Sequence, residues 1–285
     1  MILALIDYTP VSLHAAEEAA LIAGKFDSDL HLMHVSSNIN SNSLISPGVP
    51  FFEVAETTED DYNMKVDQLE RVKGNLNRRY NIKITCFERQ GEFVDIVKKH
   101  VKNFSIGLIV LGAKKRSWLK EIFINSKARL LINYAGSEVL CVHSESKTAT
   151  FKKIVLPVGK FVSKKKIAIA YELAKKFASN IHLIALNKQE KALDEKSAGS
   201  LIASYRYLRD ITSMPIECNT VVGKNLADAA IHYAEIIEAD LILIDEGAES
   251  DLKMALWRGK IFNHSLVTVM SVQSVAARSK NKYRA

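Results

Sequence analysis

The sequence predicts an α/β fold built as two doubly wound, parallel-sheet domains in tandem. Three observations carry this expectation. A set of short apolar runs recurs in the same order in both parts of the 285 residues. Runs of strand length alternate with longer runs of helical period. Several strand-like runs, such as 2–6, 108–111 and 139–142, are apolar without alternation, as parallel strands covered on both faces are. A length near twice that of a common domain of about 150 residues agrees with two units.

The repeat can be followed residue by residue. ILALID at 2–7 answers IVLPVG at 154–159, an offset of 152. DLHLMHV at 29–35 answers NIHLIAL at 180–186, an offset of 151. Gln90-Gly91-Glu92 answers Val222-Gly223-Lys224 at an offset of 132, and IGLIVLG at 106–112 answers ADLILID at 239–245 at 133. A single deletion of about 19 residues in the second copy, between its second strand and third helix, accounts for the drop.

In the first copy, strands are expected at 2–7, 29–36, 82–89, 107–113 and 138–143, with helices at 10–26, 60–79, 92–104 and 118–134. Thr9 supplies an N-cap and Pro10 a first helical residue. Glu59-Asp60-Asp61 places negative charge at a helix N-terminus, and Leu69, Val72, Leu76 and Tyr80 form one apolar stripe behind it. In the second copy Ser163 stands where an N-cap belongs, and Leu226, Ala229, Tyr233 and Ile237 repeat the stripe. The domains are therefore read as 1–147 and 148–275, followed by a tail at 276–285. The polar linker, about 144–151, is short enough to imply packed halves. Residues 37–59 show no period and are rich in Asn, Ser and Pro; a connection this long reads as a lid over a ligand or a tolerated insertion.

Composition narrows the function classes. Apolar residues at 48% and charged residues at 25% exclude a disordered or low-complexity chain. No apolar stretch reaches the roughly 18–20 residues that span a bilayer, and 1–6 lacks the flanks of a signal peptide, so a cytoplasmic protein is expected. Cys86, Cys141 and Cys218 all fall in apolar strand-like runs and read as reduced, buried thiols. The net charge of +7 misleads if taken whole. Residues 1–147 carry 18 basic and 18 acidic side chains, while Arg278, Lys280, Lys282 and Arg284 alone supply four of the excess positive charges. A solubilising end, not a nucleic-acid face, is the reading.

Few residues suggest chemistry. The eight histidines show no metal-ligand spacing, and His31 and His182 occupy matching strand positions, which points to packing. No carboxylate pair, nucleophile elbow or helped nucleophile marks a catalytic centre. Lys164-Lys165-Lys166 lies at a helix start, against the dipole preference; it reads as a solvated basic face, with an acidic partner or phosphate as the other reading. Trp118 and Trp257 read as packing residues.

The turn after the fourth strand, Gly112-Ala113-Lys114-Lys115-Arg116, is the exception. With Asn125-Ser126 further on, it resembles the universal stress protein family, whose pattern here is Gly, two residues, Gly, nine residues, Gly, then Ser or Thr. Gly112 and Ser126 match; Lys115 and Asn125 stand where the second and third glycines belong. Asp7, the HLMHV run and Gly91 are also similar to that family, and the resemblance covers nearly the whole chain. It implies a fold of the adenine nucleotide α-hydrolase type, with two domains joined through their last strands into an intramolecular pseudo-dimer. The runs Glu138–His143 and 267–272 would then meet, which removes two bare sheet edges.

The resemblance further implies ATP or another adenine nucleotide as ligand, with any metal left open. Asp7 and the backbone of Val35 would hold the adenosine end, and Gly112, Asn125 and Ser126 the phosphates. Glycines in such turns let backbone N–H groups approach phosphate oxygens. Lys115 adds bulk there, but Lys114, Lys115 and Arg116 offer side-chain charge instead. In the second copy Gly159 replaces the Asp and Asp245-Glu246 the first Gly, so nucleotide binding there is not expected. The expected function is a stress-response module, monomeric as a pseudo-dimer or a homodimer of it, with slow ATP hydrolysis at most. Two alternatives remain: a protein-interaction scaffold with decayed sites, and an adenylating enzyme, which the lack of a Gly pair in Asp7-Tyr8-Thr9-Pro10 disfavours.

Overall fold

The computed structural model describes residues 1–36, 59–113, 131, 136–143, 151–187, 193, 195–245 and 267–273. The connection at 37–58, the linker at 144–150, both tryptophans and the tail lie outside them, as does the helix expected over 118–134 except for Leu131, which is helical and fully buried.

The first half runs β1 (Ile2–Leu5), α1 (Pro10–Phe26), β2 (Leu30–Ser36), α2 (Glu59–Tyr80), β3 (Ile84–Gln90), α3 (Phe93–Phe104), β4 (Leu108–Ala113) and β5 (Glu138–His143). The second runs β6 (Lys153–Val158), α4 (Lys164–Phe177), β7 (Asn180–Asn187), α5 (Glu195–Ile211), β8 (Ile216–Val222), α6 (Leu226–Ile236), β9 (Leu241–Asp245) and β10 (Thr268–Val272). All ten strands lie in one sheet, ordered β3-β2-β1-β4-β5-β10-β9-β6-β7-β8. Each half thus has the same doubly wound order, mirrored about the seam. Every neighbouring pair is parallel except β5 and β10, which run antiparallel with Val139 opposite Ser271, Leu140 opposite Met270 and Cys141 opposite Val269. The expected meeting of the last strands is what joins the halves.

Strand alternation sorts the core into two layers. Ile2, Ala4 and Ile6 pack on the face of α1, whereas Leu3 and Leu5 pack on the face of α3. α1 presents Ala15, Ala16, Ala19, Ala20 and Ala23 to the sheet, all fully buried, and their small size lets the helix backbone come close. Leu69 and Leu76 of α2 are buried with Val72 and Tyr80 beside them, and α6 buries Leu226 and Ala229 in the same manner.

Several local expectations need correction. Thr9 caps α1 by accepting from the Ser12 N–H at 3.4 Å, but Ser163 at the start of α4 makes no side-chain cap bond. The effective caps elsewhere are Glu92, which accepts from Asp95 N–H at 2.8 Å, and Asn225, which accepts from Asp228 N–H at 2.8 Å. Of the cysteines only Cys141 is buried; Cys86 is half-buried and Cys218 is exposed, because β8 is an edge strand and its outer residues face solvent. Burial pushes the Cys86 thiol up to about 12 and holds Cys141 protonated as well. No helix among the described residues is long and apolar enough to cross a membrane.

Candidate functional site

In a doubly wound sheet the strand order reverses at one point, and the crevice outside the strand carboxyl ends there is where ligands bind. In the first half this point lies between β1 and β4. A cleft of about 70 Å³ opens there, bounded by Asp7, Val11, Ser12, Val35, Phe93 and Gly112 among others. Asp7, Val35 and Gly112, three of the residues singled out in the sequence, are therefore brought together. Lys114, Lys115, Asn125 and Ser126 lie outside the described residues.

The chain is shaped for this locally. β1 ends at Leu5, Asp7 is exposed, and Tyr8 takes the left-handed conformation with φ of 61°. Asp7 Oδ1 accepts from Thr9 N–H at 3.0 Å and from the Thr9 hydroxyl at 2.5 Å, which closes an Asx turn and aims Thr9 to cap α1. The Asp7 N–H donates to Ser12 Oγ at 3.2 Å. Gly112 is required by packing: a β-carbon there would lie 2.8 Å from the Val11 carbonyl carbon and oxygen. The first turn of α1 can rest on the end of β4 only because no side chain intervenes.

Behind Tyr8 stands a polar network that sequence reasoning missed. Glu88, 5% exposed, faces His34 across the β2–β3 register, and His34 Nδ1 lies 2.9 Å from both carboxylate oxygens. The Ser36 hydroxyl donates to Glu88 Oε1 at 2.6 Å, and Lys65 Nζ donates to Ser36 Oγ at 3.3 Å. The Tyr8 ring packs on His34 at 4.9 Å and its hydroxyl donates to the Lys65 carbonyl at 2.8 Å. Burial, with the Glu88 charge second, keeps that phenol protonated well beyond its ordinary range. Glu88 lies 54 residues from His34 and 52 from Ser36, and only the matched register of two strands could have signalled that part of the network.

At the equivalent switch point of the second half a buried ion pair stands at the strand ends. Lys166, in the first turn of α4, donates to the Pro157 carbonyl at 2.6 Å and to Asp245 Oδ1 at 3.0 Å. Pro157 belongs to β6 and Asp245 ends β9, the two strands at this half's switch point. Both charged side chains are only 5% exposed. The expected solvated face at 164–166 holds for the exposed Lys164 and fails for its neighbours: Lys166 is buried, and Lys165 pairs with Glu138 while donating to the Gln273 carbonyl at 2.9 Å. The buried carboxylate of Asp245 is what draws Lys166 inward. His31 and His182 occupy equivalent register positions and are both buried. His31 Nδ1 lies 2.9 Å from His100 Nε2 among Phe87 and Phe104, while His182 Nδ1 lies 3.2 Å from the Tyr233 hydroxyl. Among the described residues no group of three or more His, Cys, Asp or Glu side chains could hold a metal ion.

A family model, the universal stress protein family, matches residues 1–143. The chain belongs to the universal stress protein family. Solved structures repeat its architecture over almost the entire length. A universal stress protein from Archaeoglobus fulgidus DSM 4304 covers 95% of this chain and 95% of its own at 15% identity, with a TM-score of 0.68. A protein of Pseudomonas aeruginosa UCBPP-PA14 put forward as a universal stress protein covers 98% and 95%, also at 15% identity, with a TM-score of 0.61. A functionally unknown protein from Pseudomonas aeruginosa PAO1 covers 98% and 94% at 15% identity, with a TM-score of 0.58. At such identity the likeness is one of fold. None of the curated proteins compared matches the chain.

Proposed function

We propose that this universal stress protein binds one adenine nucleotide, ATP or a relative of it, in its first half, and that the second half serves as a structural and interaction partner without a nucleotide. The observation that carries this reading is the contrast between the two switch points. One is an open cleft bounded by Asp7, Val35 and Gly112; the other is bridged by the buried Lys166–Asp245 pair. In this reading residues 1–147 and 148–275 are the two units, and only the first senses a ligand.

The exposed Asp7 carboxylate, already fixed by its turn, accepts hydrogen bonds from ribose hydroxyls, and the Val35 backbone meets the adenine edge. Around 70 Å³ is well under the roughly 300–1,000 Å³ of a complete small-molecule site. The cleft therefore takes one part of the nucleotide, and the phosphates extend towards Lys114, Lys115, Asn125 and Ser126. Lysine side chains there replace the backbone contacts that glycines give, as point charges on phosphate oxygens. Binding and sensing, not turnover, are what these residues support. A cytoplasmic, stress-responsive role follows from the family reading.

The test is retention and thermal shift. Protein purified without added nucleotide is denatured and the released small molecules are identified by mass spectrometry; melting is then followed with and without ATP and Mg²⁺. Adenine nucleotide in the released fraction, or a rise in melting temperature that Asp7→Ala abolishes, supports the reading. An empty fraction together with an unmoved melting temperature leaves the scaffold reading in its place.

A further inference from the structure

A second, larger pocket lies at the opposite end of the sheet from the nucleotide cleft, at the seam between the halves. Its volume is about 460 Å³, and it opens to solvent on one side. The first half contributes Ile2, Ile22, Phe26 and Leu108; the second contributes Ile169 and Leu173 of α4 and Met270 of β10. The size falls within the usual range of small-molecule sites, roughly 300–1,000 Å³, and a dry apolar cavity of about 150 Å³ already suffices for benzene.

The other half shows what such a space accommodates. The antiparallel pairing of Val139 with Ser271 and of Cys141 with Val269 centres a two-fold relation on Leu140 and Met270. The relation carries Ile2 onto Ile154, Ile22 onto Leu173, Phe26 onto Phe177 and Leu108 onto Leu241, as the strand registers and the 151-residue helix offset require. The counterpart of the pocket is therefore the space beside Phe177. It is filled by Phe151, fully buried in one core cluster with Ile154, Leu173, Phe177 and Leu241. The two rings meet edge to face, with centroids 5.0 Å apart and planes at 87°. Beside Phe26 the described residues leave the same space open.

We infer that the seam pocket is a binding site for a small uncharged aromatic molecule, seated against Phe26 as Phe151 is seated against Phe177. The charges at the rim favour a neutral ligand because they are already engaged. Glu138 pairs with Lys165 and accepts from the Gln273 N–H at 2.7 Å; Lys165 donates to the Gln273 carbonyl; Glu172 is exposed to water. Lys176 stands over the Phe26 ring at 5.7 Å, so one ring face is taken and the edge and other face remain. Because its walls come from both halves, a ligand here also fastens the seam, independently of any nucleotide.

The experiment is a titration of the full chain with indole, read by NMR of ¹³C-labelled Met and Ile methyl groups. The expected result is a saturable shift of Met270, Ile22 and Ile169 with no shift of Met64, which is exposed on α2. Phe26→Ala should weaken binding about fivefold to tenfold, the worth of an edge-to-face pair. Ile169→Trp, which fills the space, should abolish the shift, with Ala168→Phe as the substitute if circular dichroism shows the first variant unfolded. Asp7→Ala should leave indole binding unchanged, which separates this site from the nucleotide cleft. Absence of a saturable shift, or the same shift in both filled variants, overturns the proposal.

Discussion

Lys166 and Asp245 illustrate how far a residue's surroundings govern its meaning. In the sequence, Lys166 is one of three consecutive lysines and Asp245 one of two consecutive acids; they lie 79 positions apart, and nothing local links them. Folded, they form one buried pair. Removing one partner strands a charge, so Lys166→Met alone should cost about 3–5 kcal/mol of stability, whereas Lys166→Met with Asp245→Leu should restore most of it. Urea denaturation midpoints of the three proteins check this. The His31–His100 contact yields a second expectation. Burial first, then His31 and Arg89, push His100 down to about 4, and burial lowers His31 despite Asp29, with Lys83 and the N-terminal amine acting in the same direction as burial. Both rings bind protons more readily unfolded, so the stability they contribute is present above the ordinary imidazole value of about 6.5 and lost as pH falls through their lowered folded values, about 4 for His100. Melting temperatures taken at about pH 7.5 and about pH 4.5 should differ less in His100→Leu than in the parent.

Elements were more legible than single contacts. Periodicity placed the described helices and strands of the first half within a few residues, because a stripe such as Leu69, Val72, Leu76 and Tyr80 has to face a core. Ends were harder. Ser163 looks like a cap and makes no cap bond, whereas Asn225, which sequence reading did not single out, engages a backbone N–H and is also bonded to the Asp228 carboxylate at 2.7 Å. Asn225→Ala should therefore cost about 1 kcal/mol, while Ser163→Ala should stay within about 0.5 kcal/mol, as chemical denaturation would report. Cys218 was misjudged for a related reason: an apolar strand run cannot say whether its strand lies at the centre or the edge of a sheet. Position in the sheet is a property of the whole order.

For the molecule as a whole, the duplication was readable because each copy must rebuild the same two-layered core. Its consequence, β5 meeting β10, was readable because bare edges are a liability. The differences between the halves were only partly readable. Asp7 against Gly159 and Gly112 against Asp245 announced that the switch points differ, but not that an internal ammonium pairs with Asp245 at the second. The seam pocket gave no signal at all, since Phe26 and Ile169 come from different halves and Phe151 looked like part of a linker. On a continuous ten-stranded sheet the proposed function gives one half a nucleotide and the other none, and binding stoichiometry tests this. Isothermal titration of the full chain with ATP should give about one site per chain, lost in Asp7→Ala. Two sites per chain, or a single site that survives Asp7→Ala, would contradict it.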